Sequence, residues 1–246
     1  MAGYARNILD NRFAGWAADL GVPLAPEQLD QLGHYFALLL EWNERMNLTA
    51  VRDPLAMQIR HFLDSLSCLQ VMGDVNGRSL IDVGTGAGFP GLPLKIACPG
   101  LQLTLVESVQ KKARFLQTVV DELALTQVKI AAERVELLGQ LPAFREQYDW
   151  AVARAVAKMP VLAEYLLPLC RIGGHMLAQK GESAAIETAV AESAFYILGG
   201  TNQRLHMVQL PEVAEQHYLV VVDKMVATPS RYPRRIGVPA KRPLGR

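Results

Sequence analysis

The segment Leu80-Ile81-Asp82-Val83-Gly84-Thr85-Gly86-Ala87-Gly88-Phe89-Pro90-Gly91 constrains this chain more than any other. An apolar run ends there in a glycine-rich turn, and a helix begins. Glycines let a backbone turn sharply and let a ligand approach the peptide groups closely. Short apolar runs at Ser79–Val83, Gln102–Glu107, Gln127–Ala131, Tyr148–Ala153 and Gly174–Gln179 read as strands. Amphipathic helices fall between them, the clearest from Val109 to Leu123. Such alternation builds right-handed βαβ units on a parallel sheet covered on both faces. One more helix is expected at Glu182–Ala194. Two strand-like runs, Gln203–Gln209 and His217–Val226, then read as an antiparallel close. In an open parallel sheet, ligands bind past the carboxyl ends of the strands, which is where the glycine turn sits.

Before this alternation the pattern is helical. From Tyr4 to Leu20 apolar residues recur close to a 3.6 period, and Gly21 and Pro23 stop the segment. Pro26 opens a second helix with an apolar face through Leu29, Leu32, Phe36, Leu39 and Leu40 to Met46. A third stretch follows Pro54, through Ile59, Phe62, Leu63, Leu66 and Leu69. The last nineteen residues, from Thr228, hold six basic residues, four prolines and no acid. That composition builds no core of its own, so the segment either docks as an extended strap or stays mobile. The expected organisation is a helical region over 1–75, an α/β core over 76–227 and a basic, proline-rich tail over 228–246.

With 246 residues, half of them hydrophobic and a fifth charged, the chain is neither disordered, collagenous nor a disulfide miniprotein. Its net charge of +1 says nothing about a nucleic-acid partner. Three widely spaced cysteines without a CxxC pair argue against a disulfide framework and a zinc site, so no metal is expected. No secretory signal and no membrane-spanning run is read, and a cytoplasmic, monomeric protein is expected.

Two ligands compete for the turn, beside a tight turn that binds nothing. Gly86-x-Gly88-x-x-Gly91 satisfies a dinucleotide pattern, though it starts late. Asp82-x-Gly84-x-Gly86-x-Gly88 instead resembles motif I of S-adenosyl-L-methionine-dependent methyltransferases, in which the loop wraps the amino-acid and ribose end of the cofactor. Glu107 closes the second strand, where a carboxylate accepts from both ribose hydroxyls of either cofactor. Glu133-Arg134-Val135-Glu136 follows the third strand, over the adenine side, where Val135 backbone groups and the Glu136 side chain are placed to read the base edge.

Several further stretches carry a wider resemblance: Asn47–Asp53, Arg60-His61-Phe62-Leu63-Asp64-Ser65, Asp82–Pro93, Lys111-Lys112-x-Arg114-Phe115-Leu116, Arg134-Val135-Glu136, Ala153-Arg154-Ala155, Tyr232-Pro233-Arg234-Arg235 and Pro239-Ala240-Lys241. Together they resemble, over nearly the whole length, the glucose-inhibited division protein B family of bacterial methyltransferases. The resemblance implies a Rossmann-like α/β methyltransferase fold, a mostly parallel doubly wound sheet with an N-terminal helical extension. It also implies methyl transfer from S-adenosyl-L-methionine to guanine N7 in small-subunit (16S) ribosomal RNA near the decoding region, on naked RNA or an assembled small subunit.

Carried onto this chain, the family's cofactor positions are Gly84, Phe89, Val135, Glu136 and Arg154, to which the turn and the strand end add Gly86 and Glu107. Guanine N7 has an in-plane lone pair and no proton, so no catalytic acid or base is expected. The Asn/Asp-Pro-Pro-Tyr pattern of exocyclic-amine methylation is absent, and Cys98, before Pro99, reads as a core residue rather than a nucleophile. His61 reads either as a contact to a flipped-out base or as a satisfied polar group on a helix. Phosphate contacts are expected from the tail, at Arg231, Arg234, Arg235, Lys241 and Arg242, with Lys111, Lys112 and Arg114 as an extension. Lys180-Gly181 reads as an RNA approach or a solvated turn.

Overall fold

The computed structural model describes residues 8–245. The start of the first helical segment, Tyr4–Asn7, and the tail's Arg246 lie outside the described residues. Six helical pieces come first: α1 (Phe13–Asp19), α2 (Pro26–Met46), α3 (Pro54–Met57), a π-helical turn (Gln58–Leu63), α4 (Asp64–Leu66) and α5 (Leu69–Met72). The α/β part then runs β1 (Ser79–Val83), α6 (Gly91–Ala97), β2 (Gln102–Val106), α7 (Gln110–Glu122), β3 (Val128–Ala131), α8 (Val135–Leu138), β4 (Tyr148–Arg154), α9 (Met159–Leu166) and β5 (Cys170–Lys180). It closes with α10 (Ala184–Val190), α11 (Glu192–Ile197), β6 (Gly200–Val208), β7 (His217–Lys224) and α12 (Val238–Lys241).

The strands form one sheet of order β3-β2-β1-β4-β5-β7-β6. β1 pairs in parallel with β2 and with β4, β2 with β3, and β4 with β5. β7 runs antiparallel between β5 and β6. The chain reverses between β1 and β4, a topological switch point, so the mouth of the sheet opens at their carboxyl ends. The central strands are buried on both faces, which explains why Leu80, Ile81 and Val83 read as a continuous apolar run.

One face packs on α2, the π-helical turn, α6 and α7 through Leu32, Tyr35, Phe36, Phe62, Leu92 and Phe115. The other packs on α8 to α11 through Val135, Leu162, Leu166 and Phe195. The N-terminal helices therefore share one continuous core with the sheet.

The structure differs locally from the sequence reading in three places, two of them with visible causes. Within the described residues the first helix begins at Phe13 and leaves out Ile8 and Leu9, because Asp10 Oδ1 accepts from Arg12 N at 2.9 Å, a side-chain turn that competes with helix. The third helical stretch contains the π-helical turn and breaks again before Leu69. The expected Glu182–Ala194 helix divides at Ala191, after a Thr188 Oγ1–Ala184 O back-bond of 2.7 Å, a contact of the kind that bends helices.

Of the two fates expected for the tail, it is docked. Arg145 Nη1 donates to Tyr232 O at 2.6 Å and Nη2 to Thr228 O at 2.6 Å. Lys224, fully buried, donates to Leu167 O at 2.9 Å and to the hydroxyl of Thr228. Arg234 grips Glu164 through its backbone N (2.7 Å), Nε (2.9 Å) and Nη2 (2.6 Å), and the Glu164 side chain is 0% exposed.

Removing one partner of a buried pair leaves a charge without compensation, a loss of ~3–5 kcal/mol. Arg234→Ala should therefore lower the urea unfolding free energy by about that amount. The double variant Arg234→Ala, Glu164→Leu should recover most of it. An Arg234→Ala midpoint equal to wild type would contradict the latch.

Candidate active site

The glycine turn is shaped by one carboxylate. Asp82, the fourth residue of β1, is fully buried. Its Oδ2 accepts from Thr85 Oγ1 at 2.6 Å and from Gly91 N at 2.8 Å, so one oxygen holds both ends of the turn. A Cβ at Gly91 would lie 2.9 Å from that oxygen and 2.7 Å from Leu105, so the last glycine serves helix–strand packing. Burial pushes the Asp82 carboxyl up to about 6, against the opposing pull of its two donors. Tyr35, from α2, adds a hydroxyl donated to Ala87 O.

Inside this frame the backbone is open. Gly84 (φ +68°) is exposed, and a Cβ there would meet Val156 Cγ2 at 2.7 Å. Gly86 (φ +62°) would point a Cβ into space empty within 4 Å. Glu107, just past β2, accepts from Gly86 N at 3.1 Å and from Val109 N at 2.7 Å, so its carboxylate borders the turn. A recess beside it is lined by residues that include Val83, Gly84, Val106, Val135, Glu136, Val156 and Tyr165. Bare peptide, a carboxylate at the β2 end and a recess past β3 have the chemistry that a nucleoside cofactor needs.

Two of the expected contacts also have partners within the chain. The Glu136 carboxylate, placed by the sequence reading on the base edge, accepts from Gly237 N (3.0 Å), Arg134 Nη2 (3.1 Å) and Tyr165 Oη (3.4 Å). Burial raises its pKa, Arg134 and the Gly237 N–H outweigh that, and the net shift is downward. Its carboxylate thus ties the tail to α8. Phe89 is buried, stacked on Tyr35 at 5.3 Å between ring centroids and edge-on to Phe62 at 5.1 Å.

Arg154, the last residue of β4, joins the sheet to the helical region. Its Nη1 donates to Arg60 O at 2.8 Å and to Asp64 Oδ2 at 3.1 Å. Its Nη2 lies 3.4 Å from His61 Nδ1, and its guanidinium carbon 5.1 Å from the Phe89 ring centre. An arginine only donates, so Nδ1 accepts and the imidazole proton sits on Nε2, 2.7 Å from Thr49 Oγ1. Burial, reinforced by the Arg154 charge, lowers the His61 pKa to about 4.

Around this hub opens a cleft of about 430 Å³, lined by residues that include Arg60, His61, Asp64, Arg154, Gln179 and Lys180. It is large enough for a small-ligand site, which takes ~300–1,000 Å³. Periodicity missed Thr49, Asp64, Gln179 and His217 as neighbours of Arg154. A signal existed for the first two, since both lie in the family-like stretches Asn47–Asp53 and Arg60–Ser65. Of the tail cations, Arg231, Arg235, Lys241 and Arg242 are exposed, whereas Arg234 is engaged by Glu164. Among the described residues no cluster suits a metal ion, and no helix is long and apolar enough to cross a membrane.

Solved structures share this architecture. A SAM-dependent O-methyltransferase from Thermotoga maritima superposes with a TM-score of 0.53 at 14% identity, over 78% of this chain and 72% of that one. A tRNA (m1A58) methyltransferase from Aquifex aeolicus does so with a TM-score of 0.52 at 15% identity, over 67% and 69%. The fold is that of the S-adenosyl-L-methionine-dependent methyltransferases. A family model described as rRNA small subunit methyltransferase G (GidB) matches residues 28–218. The ribosomal RNA small subunit methyltransferase G of Chloroflexus aggregans is 47% identical over 244 residues, 99% of this chain and 100% of its own. That of Roseiflexus castenholzii is 50% identical over 228 residues, 93% and 97%. The chain belongs to the rRNA small subunit methyltransferase G family.

Two outcomes follow from the geometry. Gly84→Asp puts a branched side chain at a left-handed φ into the space of Val156, so calorimetry should find S-adenosyl-L-methionine binding abolished; retained affinity would contradict this placement of the turn. The second concerns pH. The unfolded chain protonates His61 near 6.5, the native state near 4, so stability falls as pH drops through that interval. Between pH 7 and pH 5 this amounts to about 2 kcal/mol. Asp82, raised, acts in the opposite sense, so the measurement is the difference between wild type and His61→Phe. The variant should lose less stability on acidification.

Proposed function

We propose that this protein transfers the methyl group of S-adenosyl-L-methionine to N7 of a guanine in small-subunit (16S) ribosomal RNA near the decoding region, acting as a monomer in the cytoplasm. The names of its relatives support the RNA class. The observation that carries the N7 reading is the state of the cleft. Every titratable side chain lining it, among the described residues, is already engaged. Asp64 accepts from Arg154 and His217, and His61 lies between Thr49 and Arg154. Lys180 pairs with Glu187 at 2.7 Å and Arg60 with Glu215 at 3.0 Å. No side chain there stands ready to remove a proton, and guanine N7 has none to lose.

The bound cofactor would supply an electrophilic methyl on a sulfonium sulfur. What the chain supplies is position. The peptide groups of Gly84 and Gly86 and the Glu107 carboxylate orient the donor, and Val135 with Val156 excludes water from its base. Arg154, held by Asp64 and Arg60 O, sets the wall facing the acceptor. Positioning of this kind is worth up to ~7–11 kcal/mol of a barrier. The exposed Arg231, Arg235, Lys241 and Arg242 are assigned to RNA phosphates, with Lys111, Lys112 and Arg114 beside the cofactor mouth as an extension. Arg234 is assigned to the fold.

The test is transfer of label from the cofactor to undermodified small-subunit RNA, naked and assembled. Label is expected at a guanine whose strand breaks under borohydride and aniline, the chemistry of an N7-alkylated purine. Absence of incorporation in every assembly state would defeat the reading. Replacing Arg231, Arg235, Lys241 and Arg242 by alanine should weaken RNA binding without altering cofactor affinity. The salt dependence of that binding should flatten by ~0.7–0.9 for each phosphate the protein no longer neutralises.

A further inference from the structure

The cleft at the β4 and β5 ends needs an occupant, and its walls describe one. We propose that it is the subsite for the target purine, with the ring of His61 as the platform on which the base stacks. This rests on the proposal that a guanine accepts the methyl.

An imidazole has an edge and two faces, and here all but one face is accounted for. The edge is pinned: Nε2 lies 2.7 Å from Thr49 Oγ1 and Nδ1 3.4 Å from the Arg154 guanidinium. One face covers Phe89, centroid to centroid 5.0 Å at 31°. His61 also lines the cleft, and its remaining face is the surface assigned to the occupant. That face belongs to a neutral ring, because burial and the Arg154 charge hold its proton affinity low. A neutral, immobilised ring with one open face is no acid or base. It is a stacking surface, and purines have the largest π-faces among the bases.

The place also fits. Phe89, beneath His61, belongs to the glycine turn. Ala155 lines the cleft while its neighbour Val156 lines the cofactor recess, so consecutive residues of the β4–α9 loop line the two spaces. Ala155 takes a left-handed φ of +55°, rare for a residue with a side chain. Gln179 lines the same cleft, and its buried Oε1 has no partner among the described residues. Guanine's N1–H and N2–H groups are donors of the kind that oxygen lacks. The π-helical turn is the local device that brings Arg60, His61 and Asp64 to one wall, and such turns recur at functional sites.

The experiment compares wild type, His61→Ala and His61→Phe. Single-turnover methyl transfer to undermodified small-subunit RNA should fall roughly 5- to 150-fold in the alanine variant, the decrease expected for one base–aromatic stack. It should stay close to wild type in the phenylalanine variant, which keeps a ring and loses both nitrogens. Cofactor affinity should be unchanged in both. A phenylalanine variant as slow as the alanine variant, or an alanine variant as fast as wild type, overturns the platform.

A second measurement is independent of activity. Guanosine 5′-monophosphate is added to protein saturated with S-adenosyl-L-homocysteine, and saturation transfer to its H8 proton is read. Transfer should be present in wild type and His61→Phe and absent in His61→Ala. If RNA is not methylated but this pattern holds, the activity reading fails and the purine subsite stands. If no transfer is seen, or ribose 5-phosphate competes as well as the nucleotide, the cleft is not a base site.

Discussion

A single buried oxygen organises the active end of this molecule. Asp82 Oδ2 takes a hydroxyl from one end of the glycine turn and a peptide N–H from the other. Closing a turn fixes its backbone at an entropic cost of ~1–2 kcal/mol per residue, and unsupported glycines are the most expensive to order. The carboxylate offsets that cost where no side chain can. It is also why the turn presents bare peptide outward: the inward side is already satisfied, and Gly84 has Val156 where a side chain would stand. The carboxylate itself is held in an apolar setting, which is visible in its raised pKa of about 6.

The second constraint is the coupling of the helical region to the sheet through Arg154. A guanidinium has five donors in a fixed fork, and here they reach a carboxylate, a peptide oxygen and an imidazole, all supplied by the segment 60–64. The ring of Phe89 lies against both the imidazole and the guanidinium. The helices of the first 75 residues are therefore a wall of the site, built into the same core as β1 and β2. That answers, in physical terms, what a helical extension contributes to an α/β sheet: the sheet offers loops on one side of its switch point, and the helices close the other.

What is legible in the sequence divides along the range of the interactions. Strand positions, the parallel order and the glycine turn are legible because period-2 and period-3.6 patterns and glycine punctuation are local. Glu107 is legible because its place follows from strand geometry. The partners of Arg154 are not, since Arg60, His61 and Asp64 meet β4 across some ninety residues, and no periodicity encodes such a meeting. Glu136 shows the same limit in reverse. Its place at the start of α8 is legible, but the tail's Gly237 N–H, 101 residues later, captures the carboxylate. Arg234 and Arg235 are adjacent and alike in sequence. One is latched to a buried glutamate and the other is exposed, a difference set by Glu164 on α9 rather than by either arginine.

For the proposed transfer to N7, these long-range ties bear on how a site without a free base accelerates a reaction. For an acceptor that already carries its lone pair, the barrier falls mainly by holding donor and acceptor in line, and small displacements are costly. Rigidity must then come from groups that do not react. Both faces of the mouth are fixed in that way. Asp82 holds the donor side from beneath. Arg154 and Asp64 hold the acceptor side from the flank, and Glu136 and Glu164 draw the tail across α8 and α9 beside the base recess. Asp64, Glu136 and Glu164 are buried carboxylates with donors supplied, the arrangement in which low dielectric strengthens a contact, whereas Asp82 keeps one oxygen without a partner among the described residues. In the proposed complex, the exposed tail cations meet polyanionic RNA without carrying structural strain into the site, because the same tail's structural cation, Arg234, is held by a separate, buried partner.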